Sequence, residues 1–127
     1  MKKKIKNIKF KKKKNSNGEL IFVESKKFFK SGFKRFFSVS VNKKTTRGLH
    51  SHYKSTQLLF SLNGNIFVEV YKKEKQIWKK YLLKKNINYL VIPPNNFLKI
   101  KYSKPNSILG VLSDRYYDPK DYNYNKD

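Results

Sequence analysis

Apolar residues recur along this chain in short runs, and turn signals break the runs about every eight to twelve residues. Glu19 to Glu24 and Phe33 to Val41 open the series, and Arg47 to His52, Gln57 to Leu62, Ile66 to Tyr71 and Gln76 to Leu83 continue it. Tyr89 to Ile92, Phe97 to Tyr102 and Ser107 to Leu112 complete it. Most are rich in β-branched and aromatic residues, and all read as strands. The breaks are Asn15 to Gly18, Ser31-Gly32, the polar loop Asn42 to Thr46, Lys72 to Lys75, Lys84 to Asn88, Pro93 to Asn96 and Pro105-Asn106. Asn63-Gly64 between two apolar runs predicts a tight hairpin turn with positive φ at both residues. No segment shows a helical period. The pattern predicts an all-β sandwich or barrel, one domain over residues 1–127.

The two ends differ from the middle. Residues 1–14 form a lysine-rich leader with Ile5, Ile8 and Phe10, expected to be a short edge strand or a frayed tail. Residues 114–127 are a polar, tyrosine-rich tail with room for one helical turn.

Composition narrows the classes of function. A chain of 127 residues can bury a core without a disulfide or a structural metal, and the absence of cysteine removes thiolate chemistry. The net charge of +23 suggests nucleic acid, yet the only arginines are Arg35, Arg47 and Arg115. Base-reading proteins lean on arginine forks, and surface lysine in an alanine-free chain rich in Lys, Asn and Ile reads as solvated filler. No specific nucleic-acid partner is expected. No run approaches the roughly 20 apolar residues of a membrane span, so the expectation is a cytoplasmic protein without membrane contact.

The candidate chemistry lies in one stretch. The chain's two histidines, His50 and His52, are two residues apart, so an extended strand directs both rings to one face and Ser51 to the other. Gly48, His50, His52, Gln57 and Gly64 together resemble the first conserved motif of cupins. That resemblance implies a jelly-roll barrel of antiparallel strands. Metal-binding cupins carry glutamate where Gln57 stands and add a third histidine, which this chain lacks, so the barrel is expected to hold no metal.

A narrower resemblance covers almost the whole chain. Arg47-Gly48-Leu49-His50-Ser51-His52, Gln57, Pro93-Pro94 and the segment Val111 to Tyr122 are similar to the WxcM-like sugar 3,4-ketoisomerases. Those proteins pair an R-G-x-H-A-H segment with a C-terminal V-L-x-S/D-x-x-Y-x-x-x-D-Y signature. Asn17 to Phe22 and Lys34 to Phe37 fit the front half of the family pattern. The resemblance implies a cofactor-independent isomerase, a homodimer, acting on dTDP-4-keto-6-deoxyglucose in the making of 3-amino-3,6-dideoxy sugars for surface glycans. The related dTDP-4-dehydrorhamnose 3,5-epimerases share the R-G-L-H run.

The residues suit that reaction. A proton on C3, α to the C4 carbonyl, can be taken by one base if the enediolate is stabilised, and a proton returned at C4 completes the exchange. A neutral histidine can take and return it. His50 is the expected base, with His52 orienting the sugar or shuttling the second proton, and the reverse assignment stays open. Arg47 suits the pyrophosphate or the enediolate oxygen. Gln57 suits a sugar oxygen or an imidazole tautomer, and Arg35 is a further phosphate candidate. Ser38 and Ser40 stand where the family brings tyrosines, so a phenolic acid, if needed, must come from elsewhere. A non-catalytic cupin that binds nucleotide sugar and a basic nucleic-acid-binding barrel are the rival readings.

Overall fold

The computed structural model describes residues 4–24, 26 and 28–127. Strands β1 (Lys6–Lys9), β2 (Lys11–Asn15), β3 (Gly18–Phe22), β4 (Arg35–Ser40), β5 (Thr45–His52) and β6 (Gln57–Asn63) come first. They are followed by β7 (Ile66–Lys72), β8 (Ile77–Leu83), β9 (Asn88–Ile92), β10 (Leu98–Tyr102), β11 (Ile108–Ser113) and β12 (Tyr122–Asn123). One five-stranded sheet has the order β1-β9-β6-β11-β4 and the other β12-β5-β10-β7-β8, with every pairing antiparallel. From β4 to β12 the chain alternates between the sheets, apart from the β7–β8 hairpin within the second, which is the weave of a cupin-type jelly roll.

The inner faces of the two sheets meet in one core. Leu59, Leu90, Ile92, Leu109 and Val111 come from the first sheet and Ile66, Val68, Val70, Leu83, Leu98 and Ile100 from the second. A smaller cluster of Phe29, Leu58, Tyr89 and Val91, with Ile8, Phe10 and Phe28 against it, covers the outer face of the first sheet. β6 and β9 are therefore buried on both sides, which explains their unbroken apolar runs.

The strands fall within a residue or two of the sequence reading, and four features depart from it. The Asn63-Gly64 turn is no hairpin, since β6 lies in one sheet and β7 in the other. Only Gly64 has positive φ there, and a Cβ on it would stand 2.8 Å from Ser107 Oγ. Local signals fix that the chain turns, but the core decides which sheet it enters. The leader takes the edge-strand alternative, with β1 pairing with β9 at the edge of the first sheet, but it adds a second strand, β2, which forms a hairpin with β3. Its turn is closed by Asn15 Oδ1, which accepts from the Asn17 and Gly18 amides. The loop expected over Asn42 to Thr46 is shorter, because β5 begins at Thr45. Finally, the tail holds its single helical turn as a 3-10 turn over Pro119–Asp121 and then adds the unexpected strand β12. Residues 1–3 of the leader lie outside the described residues. Among the described residues no helix is long and apolar enough to cross a membrane.

Candidate active site

The site is built around an irregularity in β5. Along β10, Leu98 pairs with His50 but the next residue, Lys99, pairs with Gly48, so Leu49 is an extra residue. Gly48 (φ 89°) and Leu49 (φ 61°) both have positive φ, which makes this a β-bulge in the strand that carries the histidines. Glycine is required first in the pair, because a Cβ at Gly48 would press on Leu98 O at 3.3 Å. The bulge turns the Gly48 carbonyl toward the ring two residues on. His50 Nδ1 donates to Gly48 O at 3.1 Å, which leaves Nε2 as the free lone pair when the ring is neutral.

His52 is held from the tail. Its Nδ1 donates to Asp121 Oδ2 at 3.1 Å. The same carboxylate accepts from the Lys54 amide at 2.7 Å and from Ser55 Oγ. β12 places Tyr122 opposite His52, and its ring lies 4.8 Å from that of His50 and 4.6 Å from that of His52. The two imidazoles are themselves 5.0 Å apart and edge to face, so the i, i+2 spacing does bring them together. A proline-led 3-10 turn, capped by Asp118 through the Lys120 amide, delivers both Asp121 and Tyr122 to the histidines.

Burial keeps both rings neutral near pH 7. Desolvation pushes the His50 pKa below 6.5, against the raising effect of the Gly48 carbonyl. His52 is lowered in the same way, by burial first and then by His50, with Arg35 adding to the effect and Asp121 opposing it. Burial works to raise Asp121, but hydrogen bonds from Ser55, the Lys54 amide and His52 outweigh it, and the group is a carboxylate. Two neutral imidazoles thus present unprotonated Nε2 atoms, one braced by a peptide carbonyl and the other by a charged carboxylate.

Both rings open into a cavity of about 550 Å³ inside the barrel. Its floor is apolar, made by Phe37, Val39, Leu59, Leu98, Leu109 and Val111, and its polar wall includes Arg47, His50, His52, Gln57, Tyr122 and Tyr124. An apolar bowl with a few convergent polar groups suits a small ring-shaped ligand with oxygens to orient. Gln57 is buried against this space, whereas Arg47 is exposed and lines it from the β5 side of the bulge. Arg35 does not line it. Its Cζ stacks 4.3 Å over the Phe37 ring and 5.0 Å over that of Tyr117.

Ser38 and Ser40 prove irrelevant to the cavity: both are exposed, and it is Phe37 and Val39 of β4 that face inward. The phenols that line the cavity are Tyr102, Tyr122 and Tyr124. Burial pushes the Tyr102 hydroxyl up to about 12. The sequence reading also left Asp121 without a role, although it falls in the Asp-Tyr pair that ends the C-terminal signature. A lone aspartate in a polar tail shows its importance only once the fold lays that tail against β5. Among the described residues no group of three or more His, Cys, Asp or Glu could hold a metal ion.

A cupin-type barrel with two neutral histidines facing its interior cavity has the groups for proton-transfer isomerisation. The family model "WxcM-like, C-terminal" matches residues 3–127, and the chain belongs to that family. Among solved structures, QdtA from Thermoanaerobacterium thermosaccharolyticum, a sugar 3,4-ketoisomerase in complex with TDP, superposes with a TM-score of 0.84 at 31% identity. The match covers 95% of this chain and 88% of that one. A 3,4-ketoisomerase from Helicobacter canadensis gives 0.84 at 23% identity, over 95% and 90% of the two chains. The dTDP-4-dehydrorhamnose 3,5-epimerase of Bacillus anthracis, with TDP and PPi bound, gives 0.80 at 20% identity, over 93% and 76%. Comparison with curated protein sequences returns no match. Family and neighbours together make the chain an isomerase.

Proposed function

We propose that the protein converts dTDP-4-keto-6-deoxyglucose to a dTDP-3-keto-6-deoxyhexose. The observation that carries the reading is the pair of neutral imidazoles, each with its Nδ1 engaged and its Nε2 free, at the wall of a cavity roomy enough for a hexose. The QdtA enzyme, in a variant with one histidine replaced by asparagine, has been seen with TDP-4-keto-6-deoxyglucose, which supports the choice of sugar.

In this mechanism His50 Nε2 takes the proton from C3. The C3–H electron pair forms the C3=C4 bond, and the C4 carbonyl oxygen becomes the enediolate oxygen. A proton is then delivered to C4 while the C3 hydroxyl gives up its own proton and the C4 oxygen takes one up to become a hydroxyl, and the carbonyl re-forms at C3. The sugar gains and loses equal numbers of protons, and no redox partner is required. His52, fixed by Asp121, moves the second proton, and the Tyr122 phenol beside both rings is placed to hydrogen-bond the enediolate. Gln57 is free to hold a sugar oxygen, because Gly48 and Asp121 already fix both tautomers.

The working form in this reading is a homodimer. Its support is the outer face of the first sheet, where Phe36 and Leu62 remain exposed beside the covered cluster, together with the projecting β2–β3 hairpin.

Chromatography of the sugar nucleotide after incubation tests the assignment. Wild-type protein should produce an isomer and His50→Asn none, although the variant keeps its fold and still binds the substrate. Wild-type rates in folded His50→Asn would remove His50 as the base. Binding without any product in wild-type protein would favour a non-catalytic nucleotide-sugar-binding cupin.

A further inference from the structure

Lysine is scattered over the whole chain, but on the outward face of the second sheet it is ordered against aromatic rings. Ile66, Val68 and Val70 of β7 belong to the core, so the alternation of the strand turns Phe67, Glu69 and Tyr71 outward. Cross-strand register sets Lys80 of β8 beside Glu69 and Trp78 beside Tyr71. On the other flank, Lys99 of β10 lies beside Glu69 and Lys101 beside Phe67. The Lys99 ammonium is 4.1 Å from the centre of the Trp78 ring, and that of Lys80 is 5.0 Å from Phe67. From the tail, Lys126 comes within 4.4 Å of Tyr71.

This face carries more cations than it matches. Glu69 is buried and bound to Lys101 at 2.8 Å, and Asp127 meets Lys126 at 3.6 Å. Among the described residues no carboxylate forms an ion pair with Lys80 or Lys99. The rings decide which kind of anion fits. Ammonium groups lie over Phe67, Tyr71 and Trp78, so nucleic-acid bases find no open ring to stack on, and β7, β8 and β10 carry no arginine. A lipid surface asks for neither. Lysine stems lie along apolar rings while their charged ends reach headgroup phosphates, and a half-buried tryptophan such as Trp78 settles at headgroup level.

We propose that this face docks the protein on an anionic phospholipid bilayer. The expectation of no membrane contact rested on the lack of a spanning run, and a sheet face lying flat on the bilayer needs none. It is on the opposite side of the barrel from the sheet face assigned above to the homodimer, so docking and pairing do not compete. Docking is independent of the reaction proposed above.

Trp78 is the only tryptophan of the chain, so its emission reports contact at this face without any substitution. Wild-type protein should co-sediment with vesicles of phosphatidylcholine and phosphatidylglycerol, and Trp78 emission should shift to the blue. Both signals should be absent with phosphatidylcholine alone and should weaken as salt is raised. Lys80→Glu/Lys99→Glu should lower vesicle affinity about tenfold or more while turnover of soluble sugar nucleotide stays at the wild-type rate. Lys43→Glu/Lys44→Glu, an equal charge change in the exposed β4–β5 loop, should lower vesicle affinity far less. Failure of wild-type protein to bind anionic vesicles would overturn the docking face. Binding without a shift of Trp78 emission, or with equal losses in the two double variants, would overturn it as well, since net charge alone would then account for association. A shift with single-stranded oligonucleotide but none with vesicles would overturn it in favour of nucleic acid.

Discussion

Strands β5 and β7 flank the same neighbour, β10, and treat it in opposite ways. β7 pairs with β10 in unbroken register, and its inward residues Ile66, Val68 and Val70 are sealed aliphatics. β5 pairs across a bulge, carries two consecutive residues at positive φ, and turns two imidazoles inward where β7 has methyl groups. One side of β10 obeys every local rule for a buried strand and the other breaks several at once. Such violations are retained where they do chemistry and are supported from elsewhere. Here the support is specific: the bulge supplies the carbonyl that holds His50, and the tail supplies the carboxylate that holds His52.

The contrast can be broken on both sides. His50→Asn should lower turnover by about 10²- to 10⁴-fold, the usual contribution of a positioned general base, and leave the thermal midpoint within a few degrees of wild type. Ile66→Ala on β7 should do the reverse. It should remove about 2–5 kcal/mol of stability in denaturant titration, through the cavity it leaves, while the folded fraction keeps near-normal turnover. If His50→Asn unfolds the protein instead, the histidine is a core residue and the distinction between the strands fails.

Asp121→Asn comes next in size. Loss of the charged brace on His52 should lower kcat by roughly 10- to 100-fold, on the scale seen when the outer partner of a working histidine is removed. A simple packing role for Asp121 would lower stability without changing the pH profile. A positioning role moves the acidic limb downward, because Asp121 raises the His52 pKa.

The pH dependence itself follows from burial. Both histidines titrate below 6.5 in the fold, so as pH falls the unfolded chain takes up protons first. Their contribution to stability is complete above 6.5 and is lost as pH drops through the folded values. kcat/KM should therefore fall on the acid side with a midpoint below 6.5. A midpoint above 6.5 would mean that the working base is not His50 in this environment.

The smallest effect sharpens the bulge. Leu49→Gly should stabilise by about 1 kcal/mol or less, since glycine occupies left-handed φ without the Cβ clash, whereas Gly48→Ala should destabilise. Thermal melts of the two variants with opposite signs would confirm that β5 is strained where β7 is not.

Much of this was legible in the chain because strands and turns are local. Runs such as Ile66 to Tyr71 and breaks such as Pro93-Pro94 write themselves into composition, and two histidines at i and i+2 leave little choice of face. Three things were not local. Asn63-Gly64 reads as a hairpin, and only the packing of β7 against β10 sends the chain to the other sheet. The leader left edge strand and frayed tail both open, and the pairing with β9 that decides between them rests on Ile8 and Phe10 packing over Tyr89. Asp121 lies 69 residues from the histidine it braces, and nothing near it in sequence shows that partner. Serines 38 and 40 taught the converse, that a departure from a family pattern matters only on the face that meets the cavity.

The decisive measurement is NMR of dTDP-4-keto-6-deoxyglucose incubated with the protein in deuterated water. The account predicts a 3-keto sugar nucleotide with deuterium on the carbon that receives the returned proton, and no such species with His50→Asn. An unchanged spectrum from folded wild-type protein would contradict it.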